Sequence, residues 1–351
     1  MTTDPPAPRA TLPVTPRVSV VIPNYNYAKT LGLCLGSLVA QTLAPYEIIV
    51  VDDASTDDSC EIAGRFPCRV VRLATNSGVS AARNRGVAEA GGDIVFFLDS
   101  DVALAPDAVE QAVAALRADP DLGFVWGVVA PEPLIDDGVV ERYRVLHAHH
   151  WQARSAGKVR TAVFMMAAMP RHVFEATGPL DENLRDSEDV EYSERLAPHH
   201  DILLTGSITG RHDEADRLGA LLSEQFRRAQ LLVPVAAIEK HNRGRGLRAN
   251  SPLGAGAAWL AALLLPGAVL SPWFAVASLL LGVLSVAADP ALYRFVLRYA
   301  GPGFLPVFAG IHFLVQVTLI TGAMAGAVRW VLDPSFGPGR RQARRPARIA
   351  S

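Results

Sequence analysis

The stretch VVDDASTDDS, residues 50–59, runs from buried-type valines straight into aspartates, and VFFLDSD, residues 95–101, repeats the arrangement. Like charges brought close together repel, so a chain that ends two apolar strands in carboxylates needs a cation or hydrogen-bond donors between them. Working outward, VSVVIP (18–23), EIIVVDD (47–53), RVVRLA (69–74) and DIVFFLD (93–99) read as strands buried on both faces. The segments 30–42, 57–65 and 79–90 between them have helical spacing. Strands alternating with helices imply an α/β fold with a mostly parallel sheet and right-handed crossovers. Ligands of such sheets bind beyond the carboxyl ends of the strands. Asp52, Asp53, Asp99 and Asp101 are therefore expected at one crevice. Asp57 precedes a helical segment and reads as a capping residue.

Composition divides the chain in two. Half of the 351 residues are apolar and the formal charge is −2, but residues 253–288 and 303–328 contain no Asp, Glu, Lys or Arg. Crossing a bilayer takes about 20 apolar residues, and both stretches exceed that length. Pro266 and Ser271-Pro272 interrupt the first, which leaves a span count of two to four open. Arg294 and Arg298, in LYRFVLRY, suit an amphipathic helix on the membrane surface. Lys240, Arg243, Arg245 and Arg248 precede this region, and Arg340, Arg341, Arg344, Arg345 and Arg348 follow it, which by the positive-inside rule puts both flanks in the cytoplasm. The proline-rich residues 1–16 read as a flexible leader rather than an export signal. Cys34, Cys60 and Cys68 lack paired spacing and read as reduced thiols. The expected order is leader 1–16, α/β domain 17–235, basic linker 236–252, membrane helices 253–332 and basic tail 333–351. The protein is expected in the inner membrane, multi-pass, with the α/β domain cytoplasmic. Nothing in the composition calls for a nucleic-acid partner.

Asp99-Ser100-Asp101 offers the hard oxygen ligands that Mg²⁺ or Mn²⁺ prefers, and such ions bridge carboxylates to substrate phosphates. With VSVVIPNYN, VVDDASTD, NSGVSAARNRG, FFLDSD, GPLDENL and SEDVEYSERL in this order, residues 18 to about 225 resemble the family-2 glycosyltransferases, which have the Rossmann-like GT-A fold and transfer a sugar from a nucleotide donor with inversion. The resemblance implies that Pro23, Tyr25 and Asp53 contact the nucleotide base; ring stacking and a carboxylate accepting an imide N–H favour uracil. Asn76, Gly78, Arg83 and Ser100 are implied beside the donor, with Arg83 either pairing with phosphate or bracing Asp53. Asp99 is implied at the ribose or the ion, Asp101 on the ion, and His212 of GRHDEAD as a further metal ligand or else a loop histidine.

RDSEDVEYSERL, residues 185–196, resembles the family segment whose aspartate is the catalytic base, here Asp189 with Glu188 beside it. Helical spacing sets Asp189 and Tyr192 on one face and Glu188 on another. Read without the family, the same segment is an acidic helix start that complements the helix dipole. Processive members carry Q/RxxRW, whereas QFRRA (225–229) ends in Ala229, which implies a non-processive enzyme. FMMAAMPRHVF (164–174) has small apolar residues where many relatives have Gly and Asn near the sugar. The acceptor is expected to be lipid-linked or a glycan of the cell envelope. An inactive membrane scaffold or transporter subunit on the same fold is the alternative; no GxGxxG follows the first strand, which disfavours a dinucleotide enzyme.

Overall fold

A computed structural model describes residues 12–184, 187–232, 247, 249–333 and 336. Residues 1–11 of the leader, the basic residues Lys240, Arg243, Arg245 and Arg248, and the arginines of the tail from Arg340 on lie outside the described residues. Two compact units are present among the described residues: the first comprises 12–130, 155–184 and 187–213, and the second 131–154, 214–232, 247, 249–333 and 336.

The first unit is built on a nine-stranded mixed sheet. Its leading half is β1 (Val18–Asn24), α1 (Ala28–Val39), β2 (Glu47–Asp52), α2 (Ser59–Ala63), β3 (Arg69–Arg72), α3 (Val79–Glu89) and β4 (Ile94–Leu98). There follow β5 (Val102–Leu104), α4 (Ala108–Ala118), β6 (Leu122–Val129), β7 (Gly157–Val159), β8 (Met166–Pro170), α6 (Arg171–Thr177), α7 (Glu188–Leu196) and β9 (Asp201–His212); α5 belongs mainly to the second unit. The strand order is β3-β2-β1-β4-β8-β6-β9-β5, with β7 on β9. β1, β2, β3 and β4 pair in parallel, as their valine-rich runs imply. β8 then enters antiparallel between β4 and β6, and β5 runs antiparallel to β9. All residues of β1, β4, β6 and β8 are buried, whereas β3 is an edge strand and half exposed.

Phe164 is the centre of the packing that carries α7. Its ring meets Phe97 at 5.0 Å, Phe124 at 5.0 Å and Tyr192 of α7 at 5.1 Å, each edge-on. Edge-to-face contacts suit the ring quadrupole and add about 0.5–1.5 kcal/mol beyond area burial.

The second unit is helical: α5 (Val139–Ser155), α8 (Leu218–Ala229), α9 (Pro252–Leu264) running into a 3₁₀ turn (Leu265–Val269), α10 (Pro272–Ala287), α11 (Pro290–Ala300) and α12 (Leu305–Leu332). Pro252–Val269 and Leu305–Leu332 are long and apolar enough to cross a membrane, and α10 with α11 forms a pair bent by 74°. Large apolar side chains face outward along these helices, among them Leu270, Trp273, Leu279 and Val331.

A buried polar chain ties three of these helices together. Ser285 Oγ donates to Gln316 Oε1 (2.6 Å), Gln316 Nε2 lies 3.0 Å from His312 Nε2, and His312 Nδ1 lies 3.0 Å from Tyr143 Oη. An amide N–H can only donate, so His312 accepts at Nε2, carries its proton on Nδ1 and donates to Tyr143. Polar pairs of this kind hold helices together where hydrophobic burial gives little drive.

Gly322 and Gly326 of α12 let it approach α8 closely. A Cβ at Gly326 would collide with the Gln230 carbonyl oxygen, and one at Gly322 would meet Phe226 O at 2.8 Å and the Ala229 methyl at 2.9 Å. This small-xxx-small spacing is the one that brings helix backbones together. Gly326→Ala is expected to cost about 1–3 kcal/mol through overpacking. Gly310→Ala, on the same helix with open space at its Cβ, should be neutral or slightly stabilising. Thermal unfolding of the detergent-solubilised variants checks both; equal melting temperatures would contradict the packing.

Candidate active site

The two quoted stretches end at the same edge of the sheet. β2 and β4 flank β1 in parallel, so Asp53 and the 99–101 turn emerge at one end. A cavity of about 190 Å³ opens there, lined by Pro23, Tyr25, Tyr27, Asp53, Val79, Asp99, Ser100 and Asp101 among others. Asp52 does not join them. Successive strand residues face opposite sides, and Asp52 is turned into the structure, where it accepts from Asn24 Nδ2 (3.3 Å) and Ser55 N (3.2 Å) and pairs with Arg72 (3.5 Å). The expectation that all four carboxylates line the crevice is corrected for this residue.

Asp53 shapes the loop before α3. Its two carboxylate oxygens accept the Ser77 and Gly78 backbone N–H groups, each at 2.7 Å. Gly78 caps α3 with φ +96°, a conformation in which a Cβ is unfavourable. Asn76 is exposed in the same loop, and Tyr25 shows 43% of its surface. Asp57 performs the expected capping role twice over. It accepts from Ser59 N (3.1 Å) at the start of α2 and from Ala28 N (2.9 Å) at the start of α1. Burial alone would raise its pKa, but these hydrogen bonds outweigh it and hold the carboxyl below its usual value.

Arg83 binds neither Asp53 nor open solvent. Its guanidinium is 4% exposed, lies over the Phe164 ring at 5.4 Å, and reaches Asp99 Oδ1 with Nη2 at 2.8 Å and Glu188 Oε1 with Nη1 at 3.4 Å. Arg83 thus braces Asp99 and Glu188, not Asp53 as the sequence allowed. Burial would lower the arginine pKa, but Asp99, Asp189 and Glu188 together raise it. Asp99 is raised by burial, with Arg83 opposing and Asp101 adding to the shift.

Glu188 and Asp189 open α7, and Ser187 before them takes a left-handed φ of 70°. Glu188 meets Arg83 directly, and the Asp189 charge lies near enough to help raise the arginine pKa. The Asp189 carboxyl accepts the Phe164 N–H, yet its pKa is pushed up to about 7 by burial first and by Glu188 second, against the pull of Arg83.

The pairing of β5 with β9 sets Val102 opposite His212, which brings His212 Nε2 to 3.4 Å from Asp101 Oδ1. Asp213 N donates to the Asp101 carbonyl (2.9 Å), and Lys29 Nζ pairs with Asp213 at 3.1 Å. Asp101 Oδ1 is buried without a hydrogen-bond donor, which fits a cation ligand. Asp99, by contrast, is held by Arg83, and among the described residues no three His, Cys, Asp or Glu side chains converge as a metal cage. Tyr27 went unnoticed in the sequence. Its hydroxyl pKa is raised above the usual tyrosine range by Asp101 first, then by burial and Asp99.

Comparison with known proteins bears on the family and the fold. Residues 19–177 match the family model for glycosyl transferase family 2. The chain is 30% identical over 220 residues to the glycosyltransferase AglE of Haloferax volcanii, covering 60% of this chain and 71% of that protein. It is 27% identical over 186 residues to an uncharacterized glycosyltransferase of Haemophilus influenzae, covering 51% of this chain and 61% of the relative's length. Among solved structures, the mannosyltransferase PcManGT from Pyrobaculum calidifontis, in complex with GDP-Man and Mn²⁺, superposes with a TM-score of 0.56 at 22% identity over 92% of this chain and 90% of that one. The chain belongs to glycosyl transferase family 2, and its first unit has the GT-A fold.

Asp53→Asn tests the loop clamp. An amide has one acceptor oxygen in place of two, so one of the Ser77 and Gly78 N–H groups loses its partner, at a cost of about 1–3 kcal/mol. Hydrogen exchange should show those two amides opening faster with the rest of the sheet unchanged; unaltered protection would contradict the assignment.

Proposed function

We propose that the protein is a membrane-anchored, inverting, non-processive glycosyltransferase that moves a sugar from a nucleotide donor, preferentially a UDP-sugar, to the hydroxyl of a lipid-linked acceptor in cell-envelope synthesis. The observation that carries this reading is the Asp189 carboxyl, raised to about 7 and wedged against Glu188, Arg83 and Asp99. A hydroxyl is a poor nucleophile, and displacement with inversion requires its proton to leave as the new bond forms. A carboxylate with a pKa near the working pH serves that purpose and contributes about 10² to 10⁴ in rate.

The other residues divide the donor between them. Tyr25 offers an exposed ring for stacking, and Asp53, with its orientation fixed by Ser77 and Gly78, retains lone pairs for a base N–H. Asp101 and His212 would hold a divalent cation, with Asp99 joining through a change of partner. Imidazole with carboxylate suits Mn²⁺ better than Mg²⁺, and the Pyrobaculum mannosyltransferase was obtained with Mn²⁺. When bound, the ion neutralises the diphosphate. Ser100 and Asn76 are assigned to the donor, while Arg83 holds Asp99 and Glu188 in place rather than meeting phosphate.

The candidate spans support anchoring in a membrane; the catalytic unit is assigned to the cytoplasmic face of the inner membrane on the basic residues flanking the apolar region, and tethering raises the effective concentration of a lipid-linked acceptor. Ala229 supports the non-processive reading: it is 1% exposed, and a methyl placed on Gly322 would already crowd it, so an aromatic side chain has no room there.

Purified full-length protein, assayed with labelled nucleotide sugars and an envelope lipid extract, tests the proposal. Asp189→Asn should lower turnover about 10² to 10⁴-fold with donor affinity nearly unchanged. The base must be deprotonated, so wild-type kcat/KM should fall about tenfold per pH unit below the Asp189 pKa and level off above it. Near-wild-type transfer by Asp189→Asn, or a flat profile through neutral pH, would overturn the assignment.

A further inference from the structure

We infer that α11 carries a binding site for the head group of an anionic phospholipid and lies along the bilayer surface. The inference rests on the membrane anchoring proposed above and adds a ligand to it. After α10 the chain bends by 74°, and Asp289 starts the new helix by accepting Leu292 N (3.2 Å) while pairing with Arg154 (3.2 Å). Leu292, Tyr293 and Val296 form the inner face and join a buried cluster with Phe308 and Ile311. Arg294 and Arg298, one turn apart, stand exposed on the outer face.

Between those arginines is a groove of about 430 Å³ lined also by Ala291, Phe295 and Tyr299. Its aromatic floor is fixed: Phe295 stacks on His149 at 5.5 Å and on Tyr299 at 5.8 Å, and the Tyr299 hydroxyl donates to Glu132. Among the described residues neither Arg294 nor Arg298 has an acidic partner, whereas Arg154 of α5 pairs with Asp289. Arg228 pairs with Glu224 and Arg329 with Asp333. Two unpaired guanidiniums on one rim are complementary to a phosphodiester.

The floor decides which source of phosphate fits. A site for a free phosphate ion would surround it with polar donors. Here the donors sit only at the rim, and the floor is aromatic and aliphatic, which matches a phosphate with glycerol and acyl chains beneath it. Leu279, Leu280 and Val283 of the preceding α10 are exposed as well. Long arginine side chains reach from an apolar helix face to head-group level in this way.

The test uses full-length protein reconstituted in nanodiscs of phosphatidylcholine containing a minor share of phosphatidylglycerol. Lipid retained after transfer to detergent is counted by native mass spectrometry. Wild type should keep phosphatidylglycerol in preference to phosphatidylcholine, and excess inorganic phosphate should not displace it. Each arginine removed should weaken retention about fivefold, so Arg294→Gln/Arg298→Gln should lose roughly 25-fold, whereas Arg294→Lys/Arg298→Lys should keep the preference and show that the fold tolerates change there. Equal retention of the two lipids, an unaffected glutamine variant, or displacement by inorganic phosphate would overturn the site while leaving anchoring intact. Failure of wild type to enter the nanodisc would overturn the anchoring itself, and the site with it.

Discussion

The catalytic unit depends on one buried cation. Arg83 comes from α3, Asp99 from the end of β4, and Glu188 from the first turn of α7, and the guanidinium joins all three elements at 2.8 and 3.4 Å. A planar fork with several donors can serve carboxylates in different directions at once, which a lysine ammonium does less well. Taking charges out of water is costly, so the arrangement is stable only as a set; breaking such a buried pair typically costs about 3–5 kcal/mol. With three acids around one base, the charges do not balance. Asp189, the acid without a direct bond to Arg83, is raised to about 7 by burial first and by Glu188 second, which leaves it ready to exchange a proton near neutral pH.

Strained backbone positions adjoin residues of the site. Among the described residues the non-glycine positions with positive φ are Asn26, Ala54 and Ser187. They lie beside Tyr25 and Tyr27, after Asp53, and before Glu188. Each such residue costs on the order of 1–3 kcal/mol and persists only where its surroundings over-determine it. For Asn26 those surroundings are visible: its N–H donates to Ser55 Oγ (3.0 Å), and its Oδ1 accepts Thr56 N (2.8 Å). The polar residues of VVDDASTDDS are therefore of two kinds. Asp52, Ser55, Thr56 and Asp57 clamp two loops and two helix starts together, and Asp53 is presented to the cavity.

The first half of the sheet was legible because its strands are valine-rich runs separated by helical spacing, and period alone fixes both. β8 and the antiparallel turn of the sheet were not: MMAAMP has no strand-specific period, and its placement between β4 and β6 is a tertiary outcome. Asp189 and Glu188 could be named from the family pattern, but the placement of Glu188 on Arg83 reflects the αL turn at Ser187, which spacing on an ideal helix does not anticipate. Tyr27 is invisible in the sequence because its significance comes only from closeness to Asp101. Ala229 stood out as a departure from a motif, and its physical reason, the passage of Gly322 against it, needed α12 in place.

The central claim is that the Arg83 cluster leaves Asp189 protonated or ionised according to pH in the neutral range. Carbon-13 NMR of aspartate carboxyl groups, specifically labelled, measures this without substrate. The account predicts one resonance that titrates near pH 7 and disappears in Asp189→Asn. A spectrum in which every aspartate has finished titrating in the ordinary carboxylate range would contradict it.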